Sequence, residues 1–126
     1  MDTAKKILVA DDETHILNVV SLKLRNAGFE VICARDGNEA FELAQTQHPD
    51  LLITDFHMPG LTGLEVCQKM RLNDECRSIP TIMLSARGYH LSDAELQESG
   101  VSQMISKPFS PRQLLAAVNE VLGVAA

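Results

Sequence analysis

Carboxylates follow two strongly apolar runs of the chain, and both positions could carry chemistry. Asp55 closes one run and is followed at once by a loop at 56–63. A second acidic cluster, Asp11-Asp12-Glu13, closes another such run, at 6–10. If the two runs are neighbouring parallel strands, these acids meet at one edge of a sheet. Like charges held that close need a cation between them, and a hard divalent ion such as Mg²⁺ or Mn²⁺ suits oxygen ligands.

Two further polar residues also lie at the ends of apolar runs. Ser85 follows the run at 81–84, and Lys107 follows the run at 103–106. With Asp55 they form a workable set for phosphoryl transfer. A carboxylate can attack phosphorus, while a hydroxyl and an ammonium group can bind the phosphoryl oxygens, where negative charge develops. The sequence therefore indicates a magnesium-assisted phosphoryl-transfer site, provided that these residues converge.

Strand and helix patterns alternate along the whole chain. Apolar residues three and four positions apart predict helices, as with Ile16, Val20 and Leu24 in the first of them. Short runs bounded by turn residues predict buried strands. The predicted strands are 6–10, 30–33, 51–54, 81–84 and 103–106, and the predicted helices are 13–27, 38–47, 63–71, 90–98 and one that begins at Pro111 after the N-cap residue Ser110.

Five strands that alternate with five helices predict an α/β fold with a parallel sheet covered on both faces. Ligands bind such sheets beyond the carboxyl ends of the strands, where the strand order reverses. One common order, the flavodoxin-like 2-1-3-4-5, places the first strand beside the third. That order would bring Asp11 and Asp12 next to Asp55, with Ser85 and Lys107 on the same rim. Sequence alone does not fix the order, so this convergence is an expectation.

Length and composition narrow the possible functions. The 126 residues predict a single domain over 1–126, with its motif-bearing core at about 6–122. The net charge of −6 disfavours nucleic-acid binding through a basic surface and anchoring on an anionic membrane. Three cysteines without CxxC spacing fit a reducing cytosol better than a disulfide framework or a zinc site. We therefore expect a cytoplasmic protein with no segment inserted in a membrane.

Taken together, the motifs resemble those of a response-regulator receiver domain. The resemblance covers the chain from about Lys6 to Leu122. It is carried by four segments in a specific order and spacing, whereas any one of them alone would be a weak signal. The segments are Asp11-Asp12, Asp55-Phe56-His57-Met58-Pro59 with Gly63, Ser85-Ala86 and Lys107-Pro108-Phe109.

The resemblance implies a phosphorylation site with a bound metal ion. Asp55 would accept a phosphoryl group from a phosphohistidine on a sensor histidine kinase or a phosphotransfer protein. Asp12 and Asp55 would bind Mg²⁺ directly, the backbone carbonyl of His57 would be a third ligand, and Asp11 would act mainly through water. The protein would catalyse only its own phosphorylation and dephosphorylation, and would not be a multiple-turnover enzyme on external substrates.

The resemblance also implies how the signal would leave the site. Ser85 would move to hydrogen-bond the new phosphoryl group, and Lys107 would pair with one of its oxygens, next to a cis Lys107-Pro108 peptide. The face formed by the fourth helix, the fifth strand and the fifth helix would then shift between two populations and bind a downstream protein target that the sequence does not identify.

Three positions bear on how closely this chain resembles the family. Receivers usually carry Tyr or Phe three positions before the lysine, and this chain has Met104. Met is flexible and could fill the same pocket by repacking. His57 and Arg87 each lie two positions beyond a motif residue, where the family tunes the lifetime of the phosphate.

Other interpretations stay open from the sequence. Asp11 and Asp12 could simply cap the first helix, since carboxylates favour a helix N-terminus. A haloacid-dehalogenase-type phosphatase also uses an aspartyl nucleophile, but needs a second Asp where this chain has His57. An FMN-binding flavodoxin would need a phosphate loop rich in Ser, Thr and Gly after the first strand. A pseudo-receiver would fold without being phosphorylated. The start at Met1 and the short tail after Leu122 favour a receiver that stands alone over one excised from a longer chain. The kinase partner and the oligomeric state are not readable from the sequence.

Overall fold

A five-stranded sheet lies at the centre of the molecule, with helices on both faces. The computed structural model describes residues 4–86 and 91–124. The strands are β1 (Lys6–Ala10), β2 (Glu30–Ala34), β3 (Leu51–Asp55), β4 (Thr81–Ser85) and β5 (Val101–Ser106), and the helices are α1 (Thr14–Asn26), α2 (Gly37–Gln47), α3 (Gly63–Arg71), α4 (Asp93–Ser99) and α5 (Pro111–Leu122).

The strand order is β2-β1-β3-β4-β5, and every neighbouring pair is parallel. The predicted α/β fold with order 2-1-3-4-5 is therefore confirmed. In the register, Ala10 of β1 lies beside Thr54 of β3, and Asp55 of β3 lies beside Leu84 of β4. The carboxyl ends of these strands consequently meet at one edge, where the strand order reverses and a crevice forms.

The two faces of the sheet bury different sets of strand residues. Because side chains alternate along a strand, Leu8 and Leu52 point into a core formed with α2 and α3, while Val9 and Ile53 point into a core formed with α1 and α5. β1 and β3 are buried on both sides, so they read as continuous apolar runs rather than alternating ones. That burial fixes the register and hence the positions of the residues at the strand ends.

Several predicted boundaries shift by one or two residues. α1 begins at Thr14 because Glu13 has an extended backbone and occupies the N-cap position. β3 and β4 continue through Asp55 and Ser85, since both residues are buried within the sheet edge. β5 begins at Val101, two residues before the predicted start, because Val101 already pairs with β4. The first residues of β5 alternate in exposure, so the sequence shows no continuous apolar run there.

The fourth helix differs most from its predicted range of 90–98. α4 covers Asp93–Ser99 and starts after Ser92, whose hydroxyl accepts a hydrogen bond from the amide of Glu95. The Glu95 carboxylate accepts one from the Ser92 amide in return, which completes a capping box. The predicted first residue of this helix, His90, lies outside the described residues.

The loop after β3 folds back tightly against the strand it leaves. The amide of Gly63 donates to the carbonyl of Phe56 at 2.8 Å, and Thr62 caps α3 with a complete capping box. A Cβ atom on Gly63 would overlap the carbonyl oxygen of Asp55. A glycine is therefore needed at this close approach of two backbone segments, and the contact fixes the position of Asp55 from the loop side.

Among the described residues, no helix is both long enough and apolar enough to cross a membrane.

Candidate functional site

Three aspartates meet at the carboxyl edge of the sheet. Asp11 follows β1 and is fully buried, Asp12 beside it is exposed, and Asp55 is the last residue of β3 and is 5% exposed. One carboxylate oxygen from each of the three lies within 4.8 Å of the others. Opposite ligands of an octahedral magnesium ion are separated by about 4.2 Å, twice its usual bond length. The spacing of the three carboxylates therefore suits one small divalent cation.

Lys107 brings a positive charge into the same cluster. Its Nζ lies 3.3 Å from Asp55 Oδ2 and 3.5 Å from Asp11 Oδ2. The backbone amide of Lys107 donates to the carbonyl of Ser85 at 2.8 Å, so the end of β5 is tied to the end of β4. The structure thus gathers Asp11, Asp12, Asp55 and Lys107 at one rim, with Ser85 in the neighbouring strand.

Asp11 has one carboxylate oxygen without a hydrogen-bond partner. Oδ1 accepts from the amide of Glu13 at 2.9 Å. Oδ2 is buried and accepts no hydrogen bond from the described residues, and its ion pair with Lys107 is long. A buried carboxylate oxygen is costly to leave unpaired. Asp11 is also one of the three carboxylates that lie close enough to share one ion, so the residues present fit a bound cation. Asp11 also does not cap α1 with its side chain, since the N-cap position belongs to Glu13.

The charges in this cluster shift one another's pKa values. Burial raises the pKa of Asp11 to about 6, and the nearby charge of Asp55 adds to the shift, although Lys107 opposes it. Burial likewise raises the pKa of Asp55 despite the attraction of Lys107. For Lys107, burial lowers the pKa, but the surrounding carboxylates outweigh it and the pKa is raised. Without a metal ion, the one ammonium group of Lys107 does not balance the negative charge of the carboxylates around it.

Magnesium should stabilise the protein more at neutral than at acidic pH. The pKa of Asp11 rises from 3.8 to about 6 on folding, so the native state binds more protons than the unfolded state within that window. Stability therefore falls as pH rises through it. Above the window a divalent cation can take the place of the lost proton. We expect Mg²⁺ to raise the Tm clearly at about pH 7.5 and much less at about pH 5.

Thermal unfolding followed by circular dichroism measures this difference. Sodium chloride at matched ionic strength is the control, because it screens the carboxylates without binding between them. An equal rise in Tm at both pH values, or the same rise with sodium chloride, would contradict a metal site built on these groups.

Ser85 connects the acidic cluster to a second feature of the surface. The residue is buried, and it also lines a cleft of about 460 Å³ between α4 and β5, together with Leu96 and Met104. Met104 is half-buried and packs against the core on that side of the sheet. The hydroxyl at the end of β4 and the methionine of β5 thus border the same space.

His57 lies beside the acidic cluster. The ring of His57 makes an edge-on contact with Phe56, their centroids 4.8 Å apart, and His57 lines a cleft of about 310 Å³ with Asp12 and Asp55. The role of its backbone carbonyl as a metal ligand stays a prediction. Arg87 lies outside the described residues. The Lys107-Pro108 peptide is cis, as the resemblance implied.

Glu13 is a member of the site to which the sequence assigned no role. Its Oε1 lies 3.5 Å from Lys107 Nζ and accepts a hydrogen bond from it. The only signal in the sequence is that Glu13 extends the acidic cluster begun by Asp11 and Asp12. A contact with a residue 94 positions away is invisible without the fold.

Comparison with known proteins decides which family carries this arrangement. Residues 7–119 match the family described as "Response regulator receiver domain". The chain belongs to the response-regulator receiver family. Among solved structures, this receiver is similar to the chemotaxis response regulator CheY4 of Vibrio cholerae, with 35% identity and a TM-score of 0.87, over 95% of this chain and 100% of that one.

Two further structures extend the comparison. The receiver domain of the Francisella response regulator 1452 is 32% identical, with a TM-score of 0.84, over 94% of this chain and 97% of that one. The receiver domain of the sensor histidine kinase PA1611 from Pseudomonas aeruginosa PAO1 is 25% identical, with a TM-score of 0.85, over 96% of this chain and 99% of that one. In that protein a magnesium ion is coordinated in the active-site cleft.

Family membership separates this receiver from two of the alternatives. Receivers are signalling domains of two-component systems, not phosphatases with a cap domain or flavin carriers. The remaining alternative, a receiver that folds but is not phosphorylated, is a question about Asp55 itself.

Proposed function

We propose that Asp55 accepts a phosphoryl group from a phosphohistidine of a sensor histidine kinase or a phosphotransfer protein, in a reaction that needs Mg²⁺ or Mn²⁺. The observation that carries the proposal is the convergence of three carboxylates and the Lys107 ammonium at the carboxyl ends of β1, β3 and β5. An ordinary surface aspartate has no reason to be surrounded by two further carboxylates and an ammonium group. Receivers of both response regulators and histidine kinases share this fold.

Asp55 is suited to act as the nucleophile. Its backbone is held between β4 and the folded-back loop at Gly63, which limits the positions that its carboxylate can take. One carboxylate oxygen would attack phosphorus as the bond between phosphorus and the imidazole nitrogen breaks, and the electron pair of that bond stays on the nitrogen. Lys107, 3.3 Å from Asp55, is placed to bind a phosphoryl oxygen during the transfer.

The carboxylates of Asp11, Asp12 and Asp55, with the backbone carbonyl of His57, would hold the metal ion. A bound Mg²⁺ would offset the negative charge of the phosphoryl oxygens and of the carboxylates around them. Asp11 supports this assignment through its orphaned buried oxygen. The exposed position of Asp12 leaves it accessible to a hydrated ion, and magnesium keeps several of its waters in such sites.

Phosphorylation would then shift the conformation at the face of α4, β5 and α5. A phosphoryl group adds about 1.5 to 2 negative charges at Asp55. Ser85 would turn its hydroxyl towards that charge, and it borders the same cleft as Met104. Movement of Ser85 changes the space available to the methionine, which can repack because its side chain is unbranched and flexible. The unidentified downstream protein would recognise the resulting population.

A small phosphodonor tests the proposal. We expect acetyl phosphate with Mg²⁺ to add one phosphoryl group per chain, detected in the intact mass, because one carboxylate is placed to attack. A chelator should prevent the labelling. Phosphate monoesters such as p-nitrophenyl phosphate should not be hydrolysed over many turnovers. Sustained monoester hydrolysis would favour a phosphatase, and labelling that persists with chelator would contradict the metal requirement.

A further inference from the structure

We propose that Glu13 is a positioning residue that keeps the Lys107 ammonium at the phosphorylation site when a divalent cation is bound. The inference rests on the proposed function and extends it to a residue outside the motif set. Lys107 Nζ has three carboxylate partners: Asp55 at 3.3 Å, Asp11 at 3.5 Å and Glu13 at 3.5 Å. Two of them belong to the group of acids that can hold a cation, and Glu13 does not.

That difference matters as soon as the site is loaded. The charges of Asp11 and Asp55 are then shared with a divalent cation, which also repels the lysine. Glu13 lies outside the cation-binding group, so it does not share its charge with the ion. It is thus the partner of the ammonium that the metal does not weaken. Without it, the flexible lysine stem can turn the ammonium towards water.

The backbone of Glu13 supports this role. Its amide donates to Asp11 Oδ1 at 2.9 Å, which anchors the start of α1 at the acidic cluster. Its side chain does not cap α1, although the residue occupies the N-cap position. The carboxylate is 60% exposed and is directed towards Lys107 instead. Ser, Thr, Asp and Asn are the residues that cap a helix well, and Glu is not among them. At this position Glu provides the contact with Lys107 instead of a cap.

Three variants test the proposal, with labelling by acetyl phosphate at saturating Mg²⁺. Glu13→Gln should slow labelling about threefold, the scale of a partly exposed ion pair. Glu13→Asp should be equally slow because its carboxylate is one methylene short of Lys107, even though Asp is the better N-cap residue. Glu42→Gln, an exposed site on α2, carries the same change in net charge and should label at the wild-type rate. Wild-type rates for Glu13→Gln or Glu13→Asp would overturn the proposal.

A second measurement does not depend on phosphoryl transfer. In protein with ¹³C-labelled lysine and Mg²⁺, the two Hε protons of Lys107 should be inequivalent when the ammonium is held. They should become averaged in Glu13→Gln and stay inequivalent in Glu42→Gln. Identical Lys107 signals in the wild type and Glu13→Gln would overturn the role of Glu13 and leave the proposed function untouched. A wild-type protein that is not labelled at all would instead overturn the proposed function.

Discussion

Asp55→Asn should abolish labelling by acetyl phosphate, the largest effect that we expect. The amide is nearly isosteric but is a poor nucleophile, and Asp55 is the acid that ends β3, 3.3 Å from the Lys107 ammonium. We expect a loss of at least about a hundredfold in the labelling rate, equivalent to about 2.7 kcal/mol of transition-state stabilisation. Intact-mass spectrometry after a timed incubation with Mg²⁺ measures it.

Asp74→Asn is the matched control for this variant. Asp74 is exposed, and among the described residues its carboxylate pairs only with Arg77, three residues away. It lies in the segment after α3, away from the carboxyl edge of the sheet. The substitution removes the same charge and should leave labelling unchanged. Full stoichiometric labelling of Asp55→Asn would refute the assignment of the phosphoacceptor, whereas a wild-type protein that is not labelled would favour the pseudo-receiver interpretation.

Asp11→Asn should stabilise the metal-free protein while it weakens metal binding. The raised pKa of Asp11 shows that its surroundings disfavour the charged form, in spite of Lys107. A neutral amide keeps the acceptor for the Glu13 amide and removes a buried charge next to Asp55. At neutral pH we expect a gain of roughly 1 to 3 kcal/mol in the free energy of unfolding without metal. The affinity for Mg²⁺ should fall at least about tenfold.

Denaturant unfolding with chelator and calorimetric titration with Mg²⁺ separate the two effects. We expect the free energy of unfolding to rise while the affinity for Mg²⁺ falls. If Asp11 were merely structural, its substitution would destabilise the protein, and if it were exposed to solvent, the substitution would have little effect. If Asp11→Asn destabilises the metal-free protein and retains wild-type affinity for Mg²⁺, the charge at this position is not what the site depends on.

The sequence predicted the sheet well because burial is strongest there. β1 and β3 are buried on both faces, so their apolar runs were unambiguous, and the residues that end them were placed at the correct edge. The order 2-1-3-4-5 is a common arrangement for such a pattern, and the parallel register of β1 against β3 brings the acids that follow these strands together. The periodicity of apolar residues cannot assign a phosphoacceptor or metal ligands. The family resemblance, carried by four short motifs, predicts those roles.

The parts that the sequence did not predict are those set by long-range contacts. The full burial of Asp11 with one orphaned oxygen depends on how β1 and β3 meet. The pairing of Glu13 with Lys107 depends on α1 and the end of β5 lying together. The extension of β5 back to Val101 reflects pairing with β4 rather than an apolar run. Local pattern carries no information about any of these contacts.

Direct location of the phosphoryl group tests the central claim most closely. After labelling with acetyl phosphate and Mg²⁺, borohydride converts an aspartyl phosphate to homoserine, and trypsin releases a peptide covering 36–69 that contains Asp36, Asp50 and Asp55. Fragmentation of that peptide should place homoserine at position 55 and leave the other two aspartates unchanged. Homoserine at either of the other positions, or a phosphoryl group retained on a different peptide, would contradict the account.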